Sequence, residues 1–155
     1  MKEIRKFLYS KIEDDTIIQG YTGYTISDPR VYLIWPPENI KLTVGTPAKI
    51  AVNYTEPGAI FSTGGQVEGA QYPDGFFSAN VWATTPDLRD NIVERIEKLF
   101  QLDNYSDLYF STTHYKVQGV KRIGKDNDVE IHPGTQKIEG YRTYLQFHIR
   151  GVYRL

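Results

Sequence analysis

Ala79-Asn80-Val81-Trp82-Ala83-Thr84-Thr85-Pro86-Asp87-Leu88 is the stretch on which the fold turns. It closes an apolar, aromatic run beginning at Phe76, which reads as a strand. Thr85 then has the side chain of a helix N-cap, and Pro86 suits the first helical position, where its missing N–H would have no partner anyway. Asp87 places a negative charge on the positive end of the helix dipole. Beyond it, Leu88, Ile92, Ile96, Leu99 and Phe100 form one apolar stripe, with Asn104 as a stop signal. Glu94 and Lys98 make an i,i+4 pair on the wet side, worth about 0.2–0.5 kcal/mol. A strand that passes directly into a capped helix makes both element types share one core.

Working outward, Ile4, Phe7, Leu8 and Ile12 lie on one face of an amphipathic helix over residues 2–14. Gly20-Tyr21-Thr22-Gly23 and Asp28-Pro29 read as loop. Arg30 to Trp35 is a strand ended by Pro36-Pro37, and Ala48 to Tyr54 is a second one. From Gly58 to Gly75 glycine accumulates, which predicts a long interaction loop with a short strand at Ala59–Ser62. Asp107–Ile123 is rich in Tyr, Thr and Val and reads as strand. Gly124 to Asp128 and Pro133-Gly134 supply turn chemistry, so 124–138 reads as a hairpin. In 141–150, Tyr141, Thr143, Leu145, Phe147 and Ile149 alternate with Arg142, Tyr144, Gln146, His148 and Arg150. The order α-β-β-β-α-β-β predicts one α+β domain over 1–155: a mostly antiparallel sheet with two helices packed on one face.

Composition excludes several classes. The chain has 155 residues, 40% of them hydrophobic and 14% aromatic, enough for one core. Having no cysteine, it has no disulfide framework, zinc-thiolate site or cysteine nucleophile. A net charge of -1 argues against a sequence-independent nucleic-acid binder. The N-terminus lacks an apolar signal region, and the run Val31–Trp35 is far below the ~20 residues of a membrane helix.

Motifs for chemistry are sparse. Ser62-Thr63-Gly64-Gly65-Gln66 fits neither a P-loop nor a dinucleotide fingerprint. Asp126, Asp128, Glu130 and His132 would share one face of a strand and could gather ligands for a divalent ion, but they lack calcium-loop spacing and read as a solvated hairpin tip. His114, His132 and His148 sit in no zinc or nucleophile-elbow motif. Arg142, Tyr144 and Arg150 could stack nucleic-acid bases. The better reading of that face is contact with another protein, because Tyr and Arg are enriched at interfaces.

Four stretches together resemble the tail-completion (tail terminator, or head–tail joining) family of long-tailed bacteriophages. They are the helix Ile4–Ile12 leading to Arg30-Val31-Tyr32; the strand Pro47–Tyr54; Ala79-Asn80-Val81-Trp82-Ala83 running into the helix Leu88–Phe100; and the closing strand Tyr141–Tyr153. Their order and spacing carry the resemblance; the Gly-rich insertion 58–75 and the 107–138 region depart from it. The resemblance implies a structural virion protein made in the host cytoplasm. Its protomers would form a hexameric ring at the head-proximal end of the tail tube, ending tube polymerisation and joining the tail to the head connector. Expected partners are copies of itself, the tail tube protein and the connector protein. DNA would be passing cargo, with no membrane, metal, cofactor or catalysis. Phe61, Gln66, Tyr72, Arg142, Tyr144, His148 and Arg150 are the expected interface residues, and loop 58–75 and hairpin 124–138 the elements that order against neighbours. The alternatives are a non-viral α+β protein-binding module and a small hydrolase acting through His148 or His132.

Overall fold

A computed structural model describes residues 2–37, 40–55, 71–72, 75–100, 110–111, 115–131 and 133–154. The first helix, α1 (Lys2–Glu13), buries Leu8 and Ile12 completely. A second helix follows at once, α2 (Thr16–Thr22), where loop was expected at Gly20–Gly23. Asp15 caps it by accepting from the Ile18 N–H at 3.0 Å. Gly23 ends it at φ 75°, a left-handed position that also brings it against the Gly45 carbonyl, where a Cβ would collide. Seven residues are too few for α2 to show an apolar period; its two caps are the legible signal.

The strands are β1 (Val31–Leu33), β2 (Ala48–Thr55), β3 (Gln71–Tyr72) and β4 (Gly75–Ala83). After the helix α3 (Pro86–Leu99) come β5 (Phe110–Ser111), β6 (Tyr115–Ile131) and β7 (Ile138–Arg154). They form a seven-stranded sheet in the order β1-β2-β4-β7-β6-β5, with β3 also pairing β7. Among the described residues only β1 and β2 run parallel; every other strand pair there is antiparallel. The α+β class holds, with three helices among the described residues in place of the two expected. β1 is shorter than the expected 30–35 because Arg30 and Ile34, at φ 60° and 72°, leave the extended region on either side of it. Residues 124–128, expected as a turn, continue β6 in register with β7, and the chain reverses at Pro133–Thr135. Pairing along β7 overrides the turn preference of Gly, Asn and Asp. The Gly-rich stretch 58–70, with its expected strand Ala59–Ser62, lies outside the described residues.

The core lies between the helices and one face of the sheet. Ile50 and Val52 of β2, Phe77 and Val81 of β4, and Leu145, Phe147 and Ile149 of β7 meet Leu8, Ile12, Ile18, Ile92 and Ile96. Thr85 caps α3 by accepting the Leu88 N–H at 3.2 Å. The helix stops at Leu99, short of Asn104, with Phe100 turned inward against Phe77 and Phe147 at ring distances of 5.3 and 5.5 Å. Tight aromatic packing rewards that inward turn more than another helical residue would.

Asp15 also joins α2 to α3. Arg95 reaches its two carboxylate oxygens at 3.1 and 2.8 Å. Burial alone would raise the Asp15 carboxyl, but the Arg95 bonds, the Ile18 N–H and the Arg95 charge outweigh it and hold the group below its ordinary value. A depressed folded pKa means stability present above the unfolded value and lost as pH falls through the folded one. Asp15→Asn should therefore flatten the acid limb of a urea-melt series below about pH 4 and cost about 1 kcal/mol at neutral pH. An unchanged acid limb would show that Asp15 is not the linked group.

Candidate interaction face

Alternation along the strands sends Lys49, Asn53, Phe76, Ser78, Asn80, Trp82, Arg142, Tyr144, Gln146 and His148 to the face opposite the helices. At one end this face is covered by the segment after β1. Trp35 meets Trp82 edge-on, with centroids 5.0 Å apart and an interplanar angle of 89°. The Arg142 guanidinium lies 5.6 Å from the Trp35 ring and 5.7 Å from the Trp82 ring, while its Nε donates to Asn80 Oδ1 at 3.0 Å. The Trp82 indole N–H donates to Glu130 at 2.6 Å. Lys49 sits 5.3 Å over Trp82 and donates to the Ile40 carbonyl at 3.0 Å. Burial lowers the Lys49 pKa, against the raising pull of Glu130 and Glu139.

A recess of about 560 Å³ opens beside this cluster, lined among others by Trp35, Pro36, Pro37, Lys41, Lys49 and Glu139. Its lining mixes tryptophan and proline with lysines and glutamates, a composition that suits a protein contact. No group of three or more metal-ligating side chains occurs among the described residues. Asp126, Asp128 and Glu130 do share a strand face, but Glu130 is engaged by Trp82.

The expected interface residues divide by position. Arg142, Tyr144 and His148 stand in line on the far face of β7; Phe76 stacks on His148 at 5.4 Å and 20°. Arg142 is committed to the two indoles and Asn80, so it builds the face from within. Tyr72 and Arg150 lie on β3 and β7, at register positions opposite Val152 and Gly119. Phe61, Gln66, His114 and His132 lie outside the described residues. Trp82 is 1% exposed and buried on the far face, away from the helices. Trp35, Lys49, Asn80 and Glu130 were not singled out for this face by sequence; the one hint was a tryptophan directly before Pro36-Pro37.

No family model matches the chain, and no curated protein matches it. Among the solved structures similar to it, one aligns over 97% of this chain and 96% of its own at 16% identity, with a TM-score of 0.45. No helix among the described residues is long and apolar enough to cross a membrane.

Proposed function

We propose that this chain is a structural protein of a long-tailed phage, acting as a ring at the head-proximal end of the tail tube. The ring ends tube polymerisation and presents a surface to the head connector; it performs no catalysis. The observation that supports this reading best is the placement of the four resembling stretches. They fall on α1 with β1, on β2, on β4 with α3, and on β7, and β2, β4 and β7 are consecutive neighbours in one sheet. The far face adds half-buried Tyr144, Phe76 and His148 in the rows beyond the recess, residues of interface composition. Partners are copies of the chain, the tube protein and the connector, and DNA passes through the lumen.

Genetics tests the proposal. Deleting the gene from the phage should give unjoined, DNA-filled heads beside tails of uncontrolled length in electron micrographs. Normal virions would overturn it. Neighbouring genes for portal, tube and tape-measure proteins are the expected genomic setting.

A further inference from the structure

We propose that the recess beside Trp82 is a binding site for an α-amino acid zwitterion with an apolar side chain. The inference goes beyond the tail reading and does not depend on it. The recess, at about 560 Å³, falls within the size range of small-molecule sites, about 300–1,000 Å³. The sheet places its groups. Lys49 on β2 stands directly across from Trp82 on β4, and Glu130 on β6 stands across from Gly140 on β7. Gly140 seats Leu42, which lines the recess: a Cβ at Gly140 would meet the Leu42 side chain at 3.0 Å.

The recess collects charges of both signs, Lys41 and Lys49 with Glu130 and Glu139. Glu130 and Glu139 act on Lys49 through space, yet among the described residues no ion pair closes between these lysines and glutamates. Anchoring is the reason. Lys49 spends one N–H on the Ile40 carbonyl at 3.0 Å and rests 5.3 Å over the Trp82 ring. Glu130 accepts the indole N–H of that same ring at 2.6 Å. Trp82 is fixed by burial, so it holds an ammonium and a carboxylate at a set separation bounded by one indole. Each keeps bonding capacity that no described residue takes up: two N–H groups on Lys49 and the second oxygen of Glu130.

A ligand of one sign would meet two groups of its own sign here. A lone carboxylate faces Glu130 and Glu139, and a lone amine faces Lys41 and Lys49, at a half-buried site where charges are screened less than in water. A zwitterion answers both signs at once, with its carboxylate toward the lysines and its ammonium toward the glutamates. Its apolar side chain has Trp35, Pro37 and Ile40 to rest on. The nearby Arg142 is engaged by the two indoles and Asn80, and Arg30 by Asp28 and backbone carbonyls. Asp128 faces Arg142 across the β6–β7 pair and does not line the recess.

Both tryptophans of the chain line the recess, so their emission reports its occupancy. L-leucine added to the purified full chain should change that emission saturably, with half-saturation at or below about 1 mM, and calorimetry should give the same midpoint. N-acetyl-leucine lacks the ammonium and leucinamide lacks the carboxylate; each should bind at least about tenfold more weakly. Lys41 and Glu139 are exposed, so Lys41→Gln and Glu139→Gln should keep the urea midpoint. Both should weaken leucine by about threefold or more. Glu139→Gln should improve N-acetyl-leucine and Lys41→Gln should improve leucinamide, whereas a merely structural effect would weaken all three ligands alike and overturn the proposal. No saturable response to leucine up to about 10 mM would also overturn it. So would N-acetyl-leucine or leucinamide matching leucine, which would mean capture of a single charge, such as one end of a partner's chain. None of these results bears on the tail reading, which the deletion phenotype decides.

Discussion

Replacing Arg30 with alanine should lower the unfolding free energy by about 3–5 kcal/mol, among the largest effects of any single change in the chain. Arg30 is 2% exposed, yet carries a full charge. Its Nε donates to the Ala48 carbonyl at 3.0 Å, and one terminal nitrogen reaches Asp28 at 3.2 Å. The other donates to the carbonyls of Lys41 and Thr46 at 3.3 and 3.2 Å. One planar fork thereby ties β1, the start of β2 and the segment between them. Alanine would leave three carbonyls without that donor, and each one kept from water costs about 1–3 kcal/mol. Lysine should recover little, because a single ammonium cannot span the same four oxygens.

The backbone offers a control. Arg30 sits at φ 60°, where a side chain is disfavoured by about 1–2 kcal/mol relative to glycine. Arg30→Gly should therefore be milder than Arg30→Ala by up to about 1 kcal/mol, although it removes more atoms. Urea melts measure both: the midpoint falls and the slope is kept if only stability changes. In a chain of this size the alanine variant should melt roughly 6–20 °C lower. A loss below about 1 kcal/mol would mean that water satisfies those carbonyls as well as the guanidinium does.

Trp82→Ala should cost a further class of stability, about 3–5 kcal/mol, the usual range for emptying a buried tryptophan site. Trp82 is the centre of the far-face cluster: Trp35, Lys49, Arg142 and Glu130 all rest on it. Its removal leaves the Arg142 and Lys49 cations over a void and frees the segment bearing Trp35. Trp82→Phe separates packing from hydrogen bonding. It keeps a ring for the cations but removes the N–H that Glu130 accepts, and should cost only about 1–2 kcal/mol beyond the volume change. The chain has two tryptophans, so in either variant Trp35 is the sole indole emitter. Its emission should shift red and become more open to acrylamide in Trp82→Ala, and stay close to its wild-type environment in Trp82→Phe. Equal quenching in the two variants would show that Trp35 is held by other contacts.

Legibility in the sequence followed locality. Thr85, Pro86 and Asp87 announce α3 because capping is settled within a few residues. Leu145, Phe147 and Ile149 announce a core-facing strand because side chains alternate along any extended chain, and the structure buries those three. The caps of α2 were equally local, but Gly20 and Gly23 read as loop residues when no long apolar period joined them. For the interaction face, Arg142, Tyr144 and His148 were legible as one row on β7. That Arg142 is spent inside the fold was not, because its partners are distant in the chain.

The sequence by itself determined the types of α1, β2, β4, α3 and β7, the α+β class and which side of β7 is apolar. These depend on periodicity, caps and turns, which act over a few residues. Only the tertiary structure decided that β6 runs straight through Gly124–Asp128, because the facing strand β7 provides hydrogen bonds that outweigh local turn preference. It also decided that β4 is buried on both faces. Trp82 meets Glu130 across 48 positions and Arg142 meets Asn80 across 62. Such contacts exist only once the chain has closed on itself, when burial of large rings offsets the entropy of bringing those segments together.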